Sequence, residues 1–230
     1  MKTIARLAAC LVSLALAGGA TSALAQQRIG AATSIQNDVS RVRGAAAVGL
    51  GAGDPVFRDE TVATGAASSA RLTFLDDTNL AIGPTSRVAL DRFVFSGDAS
   101  AQALSVNLAR GAFRFTTGAL DKRAYKINSP VATIGVRGTV LDILITGGRT
   151  IVTLVDNGQA LACTRNQRQC AQLLQPGDTV VIDATGARRT NAPGSRFSFA
   201  QYCVGNPSLC GGGGAPATQF AQGGDALCGR

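Results

Sequence analysis

The chain has 230 residues, 28 of them glycine, with a formal charge of +8 and no histidine or tryptophan. Without an imidazole, Ser-His-Asp and Cys-His catalysis and the mixed Cys/His zinc sites are excluded. Glu60 is the single glutamate, and a sequence so poor in strong helix formers but rich in Gly and Thr favours strands, with a core of Val, Leu, Ile and Ala around the phenylalanines.

Lys2 and Arg6 form a basic start, Leu7 to Ala17 is apolar, and Ala23-Leu24-Ala25 has the small-residue pattern of a cleavage site. This predicts a signal peptide over 1–25, cleavage after Ala25, and a periplasmic or secreted protein. Leu7-Ala8-Ala9-Cys10 has the shape of a lipobox, but the hydrophobic region follows Cys10 instead of preceding it. No later stretch is long and apolar enough for an integral membrane span. The remaining length, roughly 200 residues, suits one domain plus extensions. Removing Lys2 and Arg6 from the +8 leaves +6, nearly all of it from arginines dispersed singly along the chain. That distribution suits a solubilising surface, and the lack of interleaved basic and aromatic residues argues against nucleic acid as a partner. Anionic envelope polymer, such as lipopolysaccharide phosphate, is the better match for a functional positive field.

Residues 26–47 are small and polar and read as a lead-in, with at most a first strand from Ala45. From Asp54 onward short apolar stretches alternate with turn residues, the pattern of an all-β domain over 48–183. Leu72 and Phe74 stand before Asp76-Asp77-Thr78-Asn79, and Leu80 and Ile82 after it, which predicts a hairpin. Gly83-Pro84-Thr85-Ser86 is the next turn. Phe93/Phe95 and Phe113/Phe115 each place two rings on one face of a strand, as core residues or as an aromatic ligand platform, with Arg92 and Arg114 on the other face. Val140 to Ile145 continue the strand pattern, with Asp142 as a solvent-facing position. Asp156-Asn157-Gly158 predicts a hairpin between Thr150–Val155 and Gln159–Cys163. Gln175-Pro176-Gly177-Asp178 fits a type II turn, and Thr179–Ile182 is the last convincing strand. Residues 184–230, including four glycines at 211–214, read as a loosely ordered tail.

Cys163, Cys170, Cys203, Cys210 and Cys228 follow the expected cleavage site. In an oxidising compartment they are disulfide candidates first. Equal spacing makes Cys163–Cys170 and Cys203–Cys210 the economical pairs, stapling the tail through the second and leaving Cys228 unassigned. Neither spacing is that of a zinc site, and no metal or cofactor is expected.

The most specific stretch is Ile127 to Thr139, Ile-Asn-Ser-Pro-Val-Ala-Thr-Ile-Gly-Val-Arg-Gly-Thr. Together with Val56-Phe57, Leu72-x-Phe74, Asp76-Asp77-Thr78, Ile82-Gly83-Pro84-x-Ser86 and Gly111-x-Phe113, it resembles the FecR domain from about Val48 to Ala162. The resemblance implies a β-sandwich or β-helix-like fold, a short solenoid. It also implies an extracytoplasmic interaction module. Transducers of the family carry a cytoplasmic anti-sigma region and one span ahead of this domain. Here a signal peptide is expected in their place, which suggests a stand-alone exported module. Pro130, Thr133, Gly135, Arg137, Gly138 and Thr139 match the signature, and a structural role is expected for them, the glycines admitting close neighbours.

Carboxylate catalysis has little to work with. Asp76-Asp77 sits in a turn, where a local structural role outweighs acid/base chemistry or calcium binding, and no phosphate-cradling or Cys-x-x-Cys motif occurs. The expected function is therefore non-enzymatic: binding of an envelope protein partner, possible signal sensing included. The alternative is a structural envelope protein attached to anionic glycan or lipopolysaccharide.

Overall fold

The computed structural model describes residues 27–210 except 45, 96–100, 122–123 and 193. The expected signal peptide, Cys10, Cys228 and the glycines at 211–214 lie outside the described residues, as do the side chains of Phe93 and Phe95.

The described residues form strands β1 (Arg28–Gln36), β2 (Val39–Arg43), β3 (Ala46–Gly49), β4 (Pro55–Phe57), β5 (Thr61–Thr64), β6 (Ser69–Phe74), β7 (Asn79–Ile82), β8 (Arg87–Phe95) and β9 (Ala101–Thr116). They continue as β10 (Tyr125–Asn128), β11 (Ala132–Arg137), β12 (Val140–Thr146), β13 (Arg149–Leu154), β14 (Gln159–Thr164), β15 (Cys170–Leu173), β16 (Thr179–Asp183) and β17 (Gly186–Thr190). Pairing resolves them into two layers. Sheet A runs β4-β1-β6-β7-β9-β12-β13-β16-β17. Sheet B runs β3-β2-β5-β8-β9-β10-β11-β14-β15. From β10 onward the chain lays hairpins alternately on B, A, B and A. That winding reconciles the sandwich and short-solenoid readings of the sequence.

The two layers share β9, whose first part pairs in sheet B and whose last part pairs in sheet A. The transition falls at Gly111, where φ is +107° and a Cβ would collide with Ser86. Ser86 Oγ accepts the Ala112 N–H at 3.1 Å, the Ser86 N–H donates to Thr64 Oγ1 at 2.9 Å, and Thr64 Oγ1 donates to the Gly83 carbonyl at 2.7 Å. The Gly83-Pro84-x-Ser86 and Gly111-x-Phe113 blocks thus meet at the bend of one strand.

Period-two alternation fills the space between the layers. Leu72, Phe74, Leu80, Ile82, Phe113, Phe115, Leu141 and Ile143 of sheet A face Val88, Leu104, Val106, Ile127, Ile134 and Val136 of sheet B, all buried. The Phe113 and Phe115 rings belong to this core, not to a ligand platform.

Several sequence expectations need correction. The lead-in is a structural part of the domain: β1 pairs with β4 and β6 and buries Ile29 and Ala32. Asp156-Asn157-Gly158 does not close a hairpin, because β13 pairs with β12 and β16 while β14 pairs with β11 and β15. It carries the chain between layers, and the tight hairpin is β12–β13, turned by Gly147 and Gly148 at φ +54° and +72°.

The cysteine staple of the tail is present, with Cys203 bonded to Cys210 and Cys163 to Cys170. Residues 186–210, however, are more ordered than their composition suggests. They add β17, then two 3-10 turns, Phe199–Tyr202 and Pro207–Cys210. Phe197, Phe199 and Leu209 bury themselves against Ala81 and Ala112, with Leu144 and Ile151 packed alongside. Residues 196–210 therefore act as a strap across the outer face of sheet A.

Candidate interaction face on sheet B

The strap is anchored on a buried ion pair. Asp142 and Arg114 stand directly opposite each other on β12 and β9, both pointing outward from sheet A. Arg114 Nε and Nη2 donate to Asp142 Oδ1 at 2.7 Å and Oδ2 at 2.9 Å, and the Phe199 N–H donates to Asp142 Oδ2 at 2.8 Å. The guanidinium lies 5.9 Å from the Phe199 ring centroid. Asp142 is 1% exposed, so its expected solvent-facing role is overturned: it faces away from the main core but is roofed by the strap. The sequence signal was an acid in an apolar strand, and its partner was the arginine between Phe113 and Phe115.

Other carboxylates are similarly engaged. Glu60 is fully buried, pairs with Arg43 and accepts the Phe57 N–H at 3.0 Å. Asp76 is buried at the β6–β7 turn, where its Oδ2 accepts from Thr78 Oγ1 at 2.6 Å and from the Tyr125 hydroxyl at 2.9 Å. The Tyr125 oxygen in turn accepts the Leu120 N–H at 2.9 Å. Burial first, and the Asp76 carboxylate with it, raises the Tyr125 phenol above its ordinary 10.0 against the opposing pull of Thr78 and Leu120. The turn role expected of Asp76 is what these contacts perform.

The outer face of sheet B has no comparable cover among the described residues. Its outward positions run in rows across the strands, Asn107-Asn128-Thr133-Cys163-Cys170 in one and Ser105-Lys126-Gly135-Leu161-Gln172 in the next. The signature segment supplies the middle of both rows. Pro130 lies exposed in the β10–β11 turn, where the Ser129 N–H donates to the Ala132 carbonyl and the Ala132 N–H to Ser129 Oγ. Thr133, Gly135 and Arg137 point outward from β11, while Ala132, Ile134 and Val136 are buried. Gly138 takes φ +59°, and Thr139 Oγ1 donates to the Asp156 carbonyl at 2.8 Å, docking the signature on the inter-layer turn. Gly158, within that inter-layer turn at φ +126°, packs so closely on the β11–β12 connection that a Cβ would strike the Gly138 carbonyl.

Gly135 departs from the structural expectation. A Cβ there would meet nothing within 4 Å, and its φ lies outside the left-handed region. The backbone does not require glycine, and its effect is to leave a dimple. A cavity of about 380 Å³ opens here, lined by Tyr125, Gly135, Arg137, Gln159, Leu161, Gln172 and Leu174. Leu161 and Leu174 are 43% and 45% exposed. Lys126 and Arg137 are exposed beside them with no carboxylate at ion-pair distance among the described residues. The Cys163–Cys170 disulfide ties the two outermost strands of this face together.

Residues 60–160 match the family model described as FecR protein, which supports the sequence resemblance over that segment. No curated protein matches the chain. Two crystal structures of a candidate anti-sigma factor from Parabacteroides distasonis ATCC 8503 are similar at 14% and 12% identity, with TM-scores of 0.44 and 0.46. Each alignment covers 57% of this chain, which spans 59% of the length of the solved chain. Among the described residues no helix is long and apolar enough to cross a membrane.

Proposed function

We propose, for a chain whose residues 60–160 match the FecR family, that this is a non-enzymatic, extracytoplasmic module that binds a protein partner of the cell envelope through the outer face of sheet B. The observation that carries the reading is an asymmetry. Sheet A has its outer face roofed by residues 196–210, whereas sheet B presents an open dimple at Gly135 between exposed leucines and two cations that meet no carboxylate at ion-pair distance among the described residues. An apolar centre with a polar rim is the anatomy of a protein interface. The partner that fits presents an acidic side chain beside an apolar one, the acid for Arg137 or Lys126 and the apolar group for the dimple and Leu161.

Two further observations support the non-enzymatic and exported parts of this reading. The chain lacks histidine, and its buried carboxylates are committed to ion pairs and turn contacts. Two disulfides suit an oxidising compartment.

A photo-crosslinking residue at Leu161 in intact cells should capture one reproducible envelope protein, and the same residue at Gln201 on the strap should not. Gly135→Glu should abolish capture without lowering the unfolding midpoint. Capture that survives Gly135→Glu rejects the face. Sedimentation with cell-wall sacculi, lost as salt rises, would favour attachment to anionic polymer instead.

A further inference from the structure

We propose that the small cavity beneath the C-terminal strap binds a free oxyanion of phosphate or sulfate size and thereby fastens the strap to sheet A. The register creates the site. Arg71 on β6 stands opposite Ala81 on β7, and Ala81 stands opposite Arg114 on β9. Two arginines therefore occupy one row of the outer face, two strands and roughly 9–10 Å apart at Cα, with only a methyl group between them. Their side chains, together with Asn79 and Thr116, surround a cavity of about 80 Å³ roofed by Leu209 and Cys210.

The donor inventory calls for an anion. Arg71 gives Nε to Asn79 Oδ1 at 3.0 Å and Nη1 to the Ser208 carbonyl at 3.3 Å, and no carboxylate among the described residues lies at ion-pair distance from it. Arg114 spends Nε and Nη2 on Asp142, which leaves Nη1 without a partner among the described residues. The Thr116 hydroxyl has none either. A half-buried guanidinium without a counter-charge, a second one with a spare donor, and a hydroxyl together match the acceptors of a tetrahedral oxyanion. The size of the cavity and its roof restrict the occupant to a free ion, since a phosphate esterified to a polymer would have to displace Leu209. Because Arg71 also holds the Ser208 carbonyl, charge neutralised at this point stiffens the strap's second 3-10 turn. The site lies on the layer opposite Gly135 and does not depend on the partner reading.

Titration of the purified oxidised protein with inorganic phosphate and with sulfate, at constant ionic strength in chloride, tests this. The expected result is saturable binding by calorimetry and slowed amide hydrogen exchange over 206–210. Arg71→Gln, which leaves the Asp142 anchor intact, should weaken binding about tenfold or more, and Arg71→Lys should restore part of it. Thr116→Val supplies an independent smaller loss. Non-saturable behaviour, or equal responses of the parent and Arg71→Gln, overturns the proposal. Binding of lipopolysaccharide but not of inorganic phosphate overturns it as well, by placing the anion elsewhere.

Discussion

Replacing Asp142 with Asn tests whether the strap is held by charge. The substitution keeps the shape but removes the charge from a group that is 1% exposed, leaving Arg114 with an amide in place of one carboxylate oxygen. With its amide oxygen at the Oδ2 position Asn still accepts from the Phe199 N–H and Arg114 Nη2, but its NH2 then faces the Arg114 Nε–H, donor against donor. Removing one partner of a buried pair costs about 3–5 kcal/mol. Arg114 retains 16% side-chain exposure and so recovers some hydration, which places the expected loss near about 3 kcal/mol. In a domain of this size each kcal/mol moves the midpoint by about 2–4 °C, so the thermal transition should fall by about 6–12 °C. Circular dichroism in urea and on heating reads this directly, and limited trypsinolysis should show faster cleavage after Arg196 as the strap lifts. A loss under about 1 kcal/mol, with Arg196 no more accessible, would refute the anchor. The double variant Arg114→Met/Asp142→Leu should lie closer to the parent than either single change does, because removing both charges leaves no unpaired one.

Three other outcomes follow from described contacts. Gly135→Ala should leave stability unchanged or raise it slightly, by up to about 1 kcal/mol. Gly118→Ala should be strongly destabilising, because its Cβ would fall on the Asp76 carbonyl; equal midpoints for the two variants in urea would contradict the packing. Burial alone would raise the pKa of Asp178, but the Leu174 and Gln175 N–H groups and Arg189 bring it below the ordinary 3.8. A carboxyl depressed in the fold stabilises above its unfolded pKa, and that stabilisation is lost as pH falls through the folded value. Acid loss from this group therefore sets in below about 3.8, and Asp178→Asn should flatten the acid limb of stability against pH; a limb parallel to the parent's counts against it. Cys203→Ser/Cys210→Ser should speed hydrogen exchange over 196–210 while leaving β11 and β14 protected, whereas loss of protection in both regions would mean the strap is integral to the main core.

The parts of the fold legible in the sequence were those decided by neighbours along the chain. Asp76 to Asn79 turns the β6–β7 hairpin, Gly177 takes φ +92° in the Gln175–Asp178 turn as the Pro-Gly pair predicts, and Phe113 and Phe115 share a buried face. What failed depended on distant partners. Asn157-Gly158 carries a strong local hairpin signal, but the winding assigns its flanking strands to different layers, and only Gly158 has positive φ. β1 escaped notice because Gly30 and Ala31 offer little alternation. Gly30 is nonetheless required, since a Cβ there would strike the Thr73 carbonyl on the neighbouring strand. The strap was masked by Gly, Ala and Pro, which outvoted three spaced anchors, Phe197, Phe199 and Leu209. At the candidate face the signature residues were visible from the outset. The openness around Gly135 was not, because an empty volume leaves no mark in a list of residues.

The bend of β9 at Gly111 has a consequence for how the molecule fails. One continuous strand donates hydrogen bonds to both layers, so neither sheet can peel away without stripping the other of a central member. The amides of Ala103 to Leu108 and those of Ala112 to Thr116 should then exchange through a common opening with a single free energy, and damage near the hinge is felt throughout the sandwich.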